Sequence, residues 1–165
     1  MSEAEIRKIL LVEDDPPIAR VYQEYLKGGP YEVVHADTGK KALKAIAAEK
    51  FSALILDVQL PNMSGLDILK KVMADGCDAA VIVVSAHGSL NMAVEAMREG
   101  ASDFLMKPFD ADRLIVTLRN ALERRDLKGI VKSLQRDYGS GEYCGFIGKS
   151  APMQTVYRTV ESAAS

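Results

Sequence analysis

The sequence predicts an α/β domain: a five-stranded parallel sheet, doubly wound, with helices covering both faces. Two observations carry this expectation. Five short apolar runs alternate with segments of helical spacing, and polar residues with chemical potential follow directly on several of those runs. Ile9-Leu10-Leu11-Val12 runs into Glu13-Asp14-Asp15, Ala53-Leu54-Ile55-Leu56 into Asp57, Val81-Ile82-Val83-Val84 into Ser85, and Phe104-Leu105-Met106 into Lys107-Pro108. Near-continuous apolar strands suit a sheet buried on both faces. In an open parallel sheet, ligands bind at the carboxyl ends of the strands.

The elements follow in order. The first strand is expected over about Lys8–Glu13. A helix over Pro17–Lys27 has proline near its first turn, where a missing N–H costs little, and Gly28-Gly29-Pro30 ends it. Tyr31–Ala36 reads as a short strand, and Thr38 as the cap of a helix that carries Ala42, Leu43, Ile46 and Ala47 at helical spacing. Ser52–Asp57 is the third strand and Pro61–Gly65 a loop. Leu66, Leu69, Val72 and Met73 mark the third helix, and Ala79–Ser85 the fourth strand. Met92 to Arg98 form a helix stopped by Gly100, Ser102–Met106 is the last strand, and Asp110 caps a final helix starting near Ala111. Strands separated by helices call for right-handed crossovers. The domain spans about residues 6–122.

Beyond Leu122 the character changes. Glu123-Arg124-Arg125-Asp126 reads as solvated helix surface, and Leu127, Ile130, Val131 and Leu134 then form an apolar stripe. Gly129 weakens that helix by roughly 1 kcal/mol relative to alanine, and Gly139-Ser140-Gly141 ends it. Residues 123–142 are thus a helical linker and candidate dimerisation helix, and residues 143–165 a new segment too short to bury its own core.

At 165 residues the chain suits about one domain with a tail, and 48% hydrophobic residues suffice for a core. A net charge of -2 gives no basic character, so this stretch is not expected to grip nucleic acid. Cys77 and Cys144 make neither a disulfide framework nor a metal knuckle, which fits a reducing compartment. The polar N-terminus and the lack of a membrane-length apolar run place the chain, as an expectation, in the cytoplasm and off the membrane.

The strand-end residues make one chemical constellation. Glu13 and Asp14 end strand one, and Asp57 ends strand three, expected beside it. Two carboxylates, a backbone carbonyl and waters are what Mg²⁺ accepts. A carboxylate can serve as a covalent nucleophile, giving an aspartyl phosphate on Asp57. Lys107 would pair with phosphate oxygens and Ser85 would donate a hydrogen bond. Each has a plainer reading. An acid after a strand is commonly a turn former or helix cap, a lone lysine is commonly solvated surface, and a serine is commonly a cap. The joint placement favours the chemical reading, except at Asp15, where the cap is favoured.

These residues closely resemble a family. Leu11-Val12-Glu13-Asp14-Asp15, Leu54 through Gly65, Val84-Ser85-Ala86 and Phe104 through Phe109 are similar to the receiver domain of two-component response regulators, over about residues 6–122. The resemblance implies a flavodoxin-like fold and phosphorylation of Asp57 by a sensor histidine kinase or phosphotransfer protein. It implies Mg²⁺ on Asp14, Asp57 and the main-chain carbonyl of Gln59, with Glu13 acting mostly through a metal-bound water. Ser85 matches the switch hydroxyl, Phe104 the switch aromatic and Lys107 the family's lysine, whose bond to Pro108 is commonly cis. Glu13 stands where many members carry aspartate.

Residues 146–165 resemble the opening of the AAA+ ATPase domain of sigma-54-dependent activators of the nitrogen-regulation-C type. The resemblance implies that the full protein adds an ATPase domain and engages sigma-54 RNA polymerase and DNA. Gly148-Lys149-Ser150 is not a phosphate loop, because Tyr143 stands where that motif needs glycine. A homodimer is expected. No enzyme activity is expected apart from self-phosphorylation and self-dephosphorylation. Two other readings remain at this point. A phosphohydrolase of the haloacid-dehalogenase kind needs two aspartates spaced two apart after strand one, and a cap domain. A stand-alone receiver acting by docking would leave the tail without a role.

Overall fold

The computed structural model describes residues 5–139. Five strands, β1 (Arg7–Val12), β2 (Tyr31–Ala36), β3 (Ala53–Asp57), β4 (Ala80–Ser85) and β5 (Asp103–Met106), alternate with five helices. These are α1 (Pro16–Leu26), α2 (Gly39–Ala48), α3 (Gly65–Ala74), α4 (Leu90–Arg98) and α5 (Ala111–Gly139). The sheet is wholly parallel in the order β2-β1-β3-β4-β5. The doubly wound, flavodoxin-like expectation holds.

Strand alternation divides the core in two. Leu10, Val12, Leu54, Leu56, Val81 and Val83 face one way and pack with Ala42 of α2, Ile68, Leu69 and Val72 of α3, and Ala96 of α4. Ile9, Leu11, Ile55, Ile82, Val84 and Leu105 face the other way, against Ala19, Tyr22 and Leu26 of α1 and Leu114, Leu118 and Ala121 of α5. Each fully buried leucine or isoleucine contributes about 1.5–3 kcal/mol. With both faces apolar, the register is held by the specific packing on each side, because a one-residue slip would send each face's side chains to the other.

Side-chain caps set the helix starts. Asp15 accepts the Ile18 amide at 3.2 Å and so caps α1. Thr38 accepts the Lys41 amide at 3.3 Å, and Asp110 the Arg113 amide at 2.8 Å. Some boundaries differ from the sequence expectation. β1 ends at Val12, so Glu13 and Asp14 lie just past the strand. Gly65 is the first residue of α3 rather than the end of a loop, since Ser64 caps that helix through the Leu66 amide. α4 starts at Leu90, two residues earlier than expected, because Ser89 accepts the Met92 amide at 3.2 Å.

α5 is a single helix of 29 residues. The chain divides into two compact units between Arg125 and Asp126. In the first, Arg125 Nε donates to the Asp78 carbonyl at 2.8 Å, and Arg124 lies 3.4 Å from the Asp103 carboxylate. In the second, Leu127 and Ile130 are 62% and 56% exposed, while Val131 and Leu134 are half-buried. The expected segment at residues 143–165 lies outside the described residues. Among the described residues, no helix is long and apolar enough to cross a membrane.

Candidate functional site

The sheet order brings the carboxyl ends of β1, β3, β4 and β5 side by side. β1 pairs with β3 so that Val12 lies opposite Leu56. The next residues, Glu13 and Asp57, therefore leave adjacent strands at the same level. Two contacts fix the chain after β1: the Glu13 amide donates to the Ala36 carbonyl at 3.1 Å, and His35 Nε2 lies 2.8 Å from the Glu13 carbonyl. One oxygen from each of Glu13, Asp14 and Asp57 falls in a group no more than 4.8 Å across. Glu13 and Asp57 are buried, whereas Asp14 is exposed.

Lys107 enters from two strands away. Its amide donates to the Ser85 carbonyl at 2.9 Å, which continues the β4–β5 ladder, and the Lys107–Pro108 peptide is cis, as the resemblance implied. Its ammonium lies 2.5 Å from Asp57 Oδ2 and 2.7 Å from Glu13 Oε2. This lysine is therefore not solvated surface. Asp57 is held at its other oxygen too, because Oδ1 accepts the Gln59 amide at 2.8 Å.

Burial pushes the Glu13 carboxyl above the usual range, Lys107 opposes that shift, and the Asp57 charge adds to it. Burial works against the charge on Lys107, but its hydrogen bonds to Asp57 and Glu13 outweigh this and raise its pKa. Three carboxylates set against one ammonium leave a formal charge of −2 at the cluster. The donor set is oxygen-only and includes an exposed carboxylate open to water. Both properties fit a hard divalent cation that retains waters.

Ser85 is fully buried at the end of β4, and its hydroxyl accepts the His87 amide at 3.2 Å. It therefore fills the local turn role while keeping its proton for another acceptor. Phe104, on β5, is half-buried against the core face shared by α2, α3 and α4. Its ring closely approaches Gly88, where a built Cβ would lie 2.9 Å from it.

Contacts made across the fold bring further residues to the site. Tyr22 of α1 places its ring beneath the Lys107 ammonium, 5.8 Å away. The Gln59 amide side chain lies 3.1 Å from His87 Nδ1, linking the loops after β3 and β4. Gly65 lies directly against the Asp57 main chain. Its glycine in a post-strand turn was the one available hint.

Comparison with known proteins agrees with this geometry. Residues 9–119 match the family described as the response regulator receiver domain. The chain is 42% identical over 156 residues to the regulatory protein LuxO of Vibrio cholerae serotype O1, covering 94% of this chain and 33% of that protein. It thus spans about a third of the length of the curated relatives it matches. The signal receiver domain of a LuxO repressor protein from Vibrio parahaemolyticus superposes with a TM-score of 0.73 at 40% identity, covering 76% of this chain and 96% of that one. The beryllofluoride-activated NtrC4 receiver domain dimer gives a TM-score of 0.68 at 32% identity, covering 72% of this chain and 98% of that one. Parallel sheet, acid triad and bridging lysine together thus have a family, and the chain belongs to the response regulator receiver domains.

Proposed function

We propose that this chain is the phosphorylation-controlled receiver of a two-component system and that Asp57 accepts the phosphoryl group. The observation that carries the reading is the Lys107 ammonium, held 2.5 Å from Asp57 and 2.7 Å from Glu13 beside a third carboxylate. In the transfer, an Asp57 oxygen bonds to the phosphorus of a phosphohistidine on a sensor histidine kinase or phosphotransfer protein. The P–N bond breaks and its electron pair stays on the imidazole nitrogen. Lys107 sets positive charge where the phosphoryl oxygens gather negative charge. The Gln59 amide holds the carboxylate in its present orientation throughout. Mg²⁺ held by Asp14, Asp57 and the Gln59 carbonyl, with Glu13 acting through water, would supply further neutralisation of that charge. Attack of water on the acyl phosphate returns Asp57 and inorganic phosphate, so the chain is an enzyme only toward itself.

The output runs through Ser85 and Phe104. A phosphoryl oxygen above Asp57 offers the Ser85 hydroxyl an acceptor. Drawing the serine and its loop inward changes the space beside the Phe104 ring, which now lies against Gly88. A local charge thereby becomes a repacked surface on α4, β5 and α5. The identity with LuxO extends over 94% of the chain. That extent supports reading residues 6–122 as the receiver, 123–142 as a linker that pairs two chains, and 143–165 as the start of an ATPase domain. In this reading the full protein is a cytoplasmic sigma-54-dependent activator that engages RNA polymerase and DNA.

The test is an NMR titration with beryllofluoride and Mg²⁺. Backbone signals of residues 13, 14, 57, 85 and 107 are expected to shift first, together with those of residues 86–110. A spectrum unchanged at Asp57 and Lys107 would refute the reading.

A further inference from the structure

Tyr22 is 6% exposed within the core face that α1 and α5 share. Its ring stacks on Phe109, with centroids 4.9 Å apart and planes at 20°, and packs against Tyr25 at 6.1 Å. The Lys107 ammonium lies over the ring at 5.8 Å from its centroid, within the reach of a cation–π contact. We propose that Tyr22 is a positioning residue for Lys107, its ring face holding the ammonium between Asp57 and Glu13.

A lysine ammonium is a point charge with three donors on a flexible stem, so its direction must be set by its surroundings. Two donors are used by Asp57 and Glu13. The Lys107 side chain is only 12% exposed, so little water competes for the remainder. The electron-rich face of an aromatic ring stabilises a desolvated cation, and an aliphatic side chain in its place would not. Phe109 stands two residues beyond Lys107 in the same β5–α5 loop. One loop thus carries both the lysine and the ring that fixes Tyr22, and the three side chains form a bracket between α1 and the strand ends. The ring favours no particular carboxylate oxygen, so the ammonium can follow the negative charge when it moves from Asp57 onto a phosphoryl group.

The kinetic part of the test rests on Asp57 being the phosphoacceptor; the spectroscopic part does not. Tyr22→Phe keeps the ring face, while Tyr22→Leu removes it. Phosphorylation by acetyl phosphate with Mg²⁺ is expected to stay within about twofold of the parent in Tyr22→Phe and to slow about three- to tenfold in Tyr22→Leu. In parallel, the ε-methylene protons of Lys107, shifted upfield by the ring current in the parent and in Tyr22→Phe, are expected to lose that shift in Tyr22→Leu. Tyr22→Met, an unbranched replacement, takes over both measurements if Tyr22→Leu fails to fold. Equal rates in the ring-bearing and aliphatic variants, or Lys107 protons that keep their shift without the ring, overturn the proposal. If the parent itself takes no phosphoryl group, the phosphoacceptor reading fails, and the Lys107 protons alone decide whether the ring holds the ammonium.

Discussion

The α-carbon of Gly65 lies so close to the main chain of Asp57 that a Cβ built on it would sit 2.1 Å from the Asp57 carbonyl oxygen and 2.8 Å from the carbonyl carbon. Both are backbone atoms and cannot rotate away. The Gly65 amide also donates to the Val58 carbonyl at 2.9 Å, so the first turn of α3 is laid directly on the residue proposed to carry the phosphoryl group. Gly65→Ala is expected to cost about 1–3 kcal/mol, as overpacking does, and to slow phosphorylation by moving Asp57. Gly129→Ala is the control: a Cβ there meets nothing within 4 Å, and the change should stabilise the helix by about 0.5–1 kcal/mol. Urea denaturation measures both.

Lys107 is the cation between two buried carboxylates. Removing one partner of a buried pair leaves uncompensated charge, at a cost of about 3–5 kcal/mol. Lys107→Ala should therefore lose roughly that much stability in metal-free buffer at neutral pH. Added Mg²⁺ should restore part of it, by binding the folded state alone. Denaturation midpoints with and without Mg²⁺ measure the effect. Stability unaffected by Mg²⁺ in this variant would count against a cation site at the acid cluster.

The strands were legible because their burial is simple. Every residue of β3 and β4 is buried, so their composition is almost wholly apolar. β2, at the sheet edge, buries only Ala36 fully and stood out less. The caps Asp15, Thr38 and Asp110 were legible because an N-cap is a local device. The start of α4 at Ser89 was less legible, because Leu90, Val94 and Met97 share helical spacing but lie exposed, away from the buried face at Ala96. At the site, residues that directly follow apolar runs could be picked out one by one. Tyr22 and Gly65 could not, since their significance lies in contacts made across the fold. A tyrosine within α1 reads as ordinary core, and a glycine after Ser64 reads as part of a turn.

Burial pushes the Tyr22 phenol up to about 12, with Lys107 opposing the shift and Glu13 and Asp57 adding to it. The folded chain thus binds this proton more tightly than the unfolded chain, whose tyrosines ionise near 10. The resulting stability is fully present below pH about 10 and is lost as pH rises from there toward 12. Tyr22→Phe removes the titrating group. Its stability should therefore fall less steeply than the parent's over that window, as measured by urea denaturation across a pH series. Parallel slopes would contradict a buried, tightly held phenol.

Leu127 and Ile130 leave an apolar stripe exposed along the second half of α5, and such a patch normally marks an association surface. Leu127→Asp combined with Leu134→Asp should weaken self-association at least tenfold by analytical ultracentrifugation, and should leave the unfolding of the receiver unchanged. Undiminished self-association would place the pairing surface elsewhere.

We propose that the chemistry at the strand ends converges on the single carboxylate of Asp57. The most direct measurement is the intact mass of the chain after incubation with acetyl phosphate and Mg²⁺, for the parent and for Asp57→Asn. The parent is expected to gain one phosphoryl group and Asp57→Asn none. A phosphoryl group on Asp57→Asn at the parent's level would contradict the account and move the acceptor to another carboxylate, with Asp14 the first to examine.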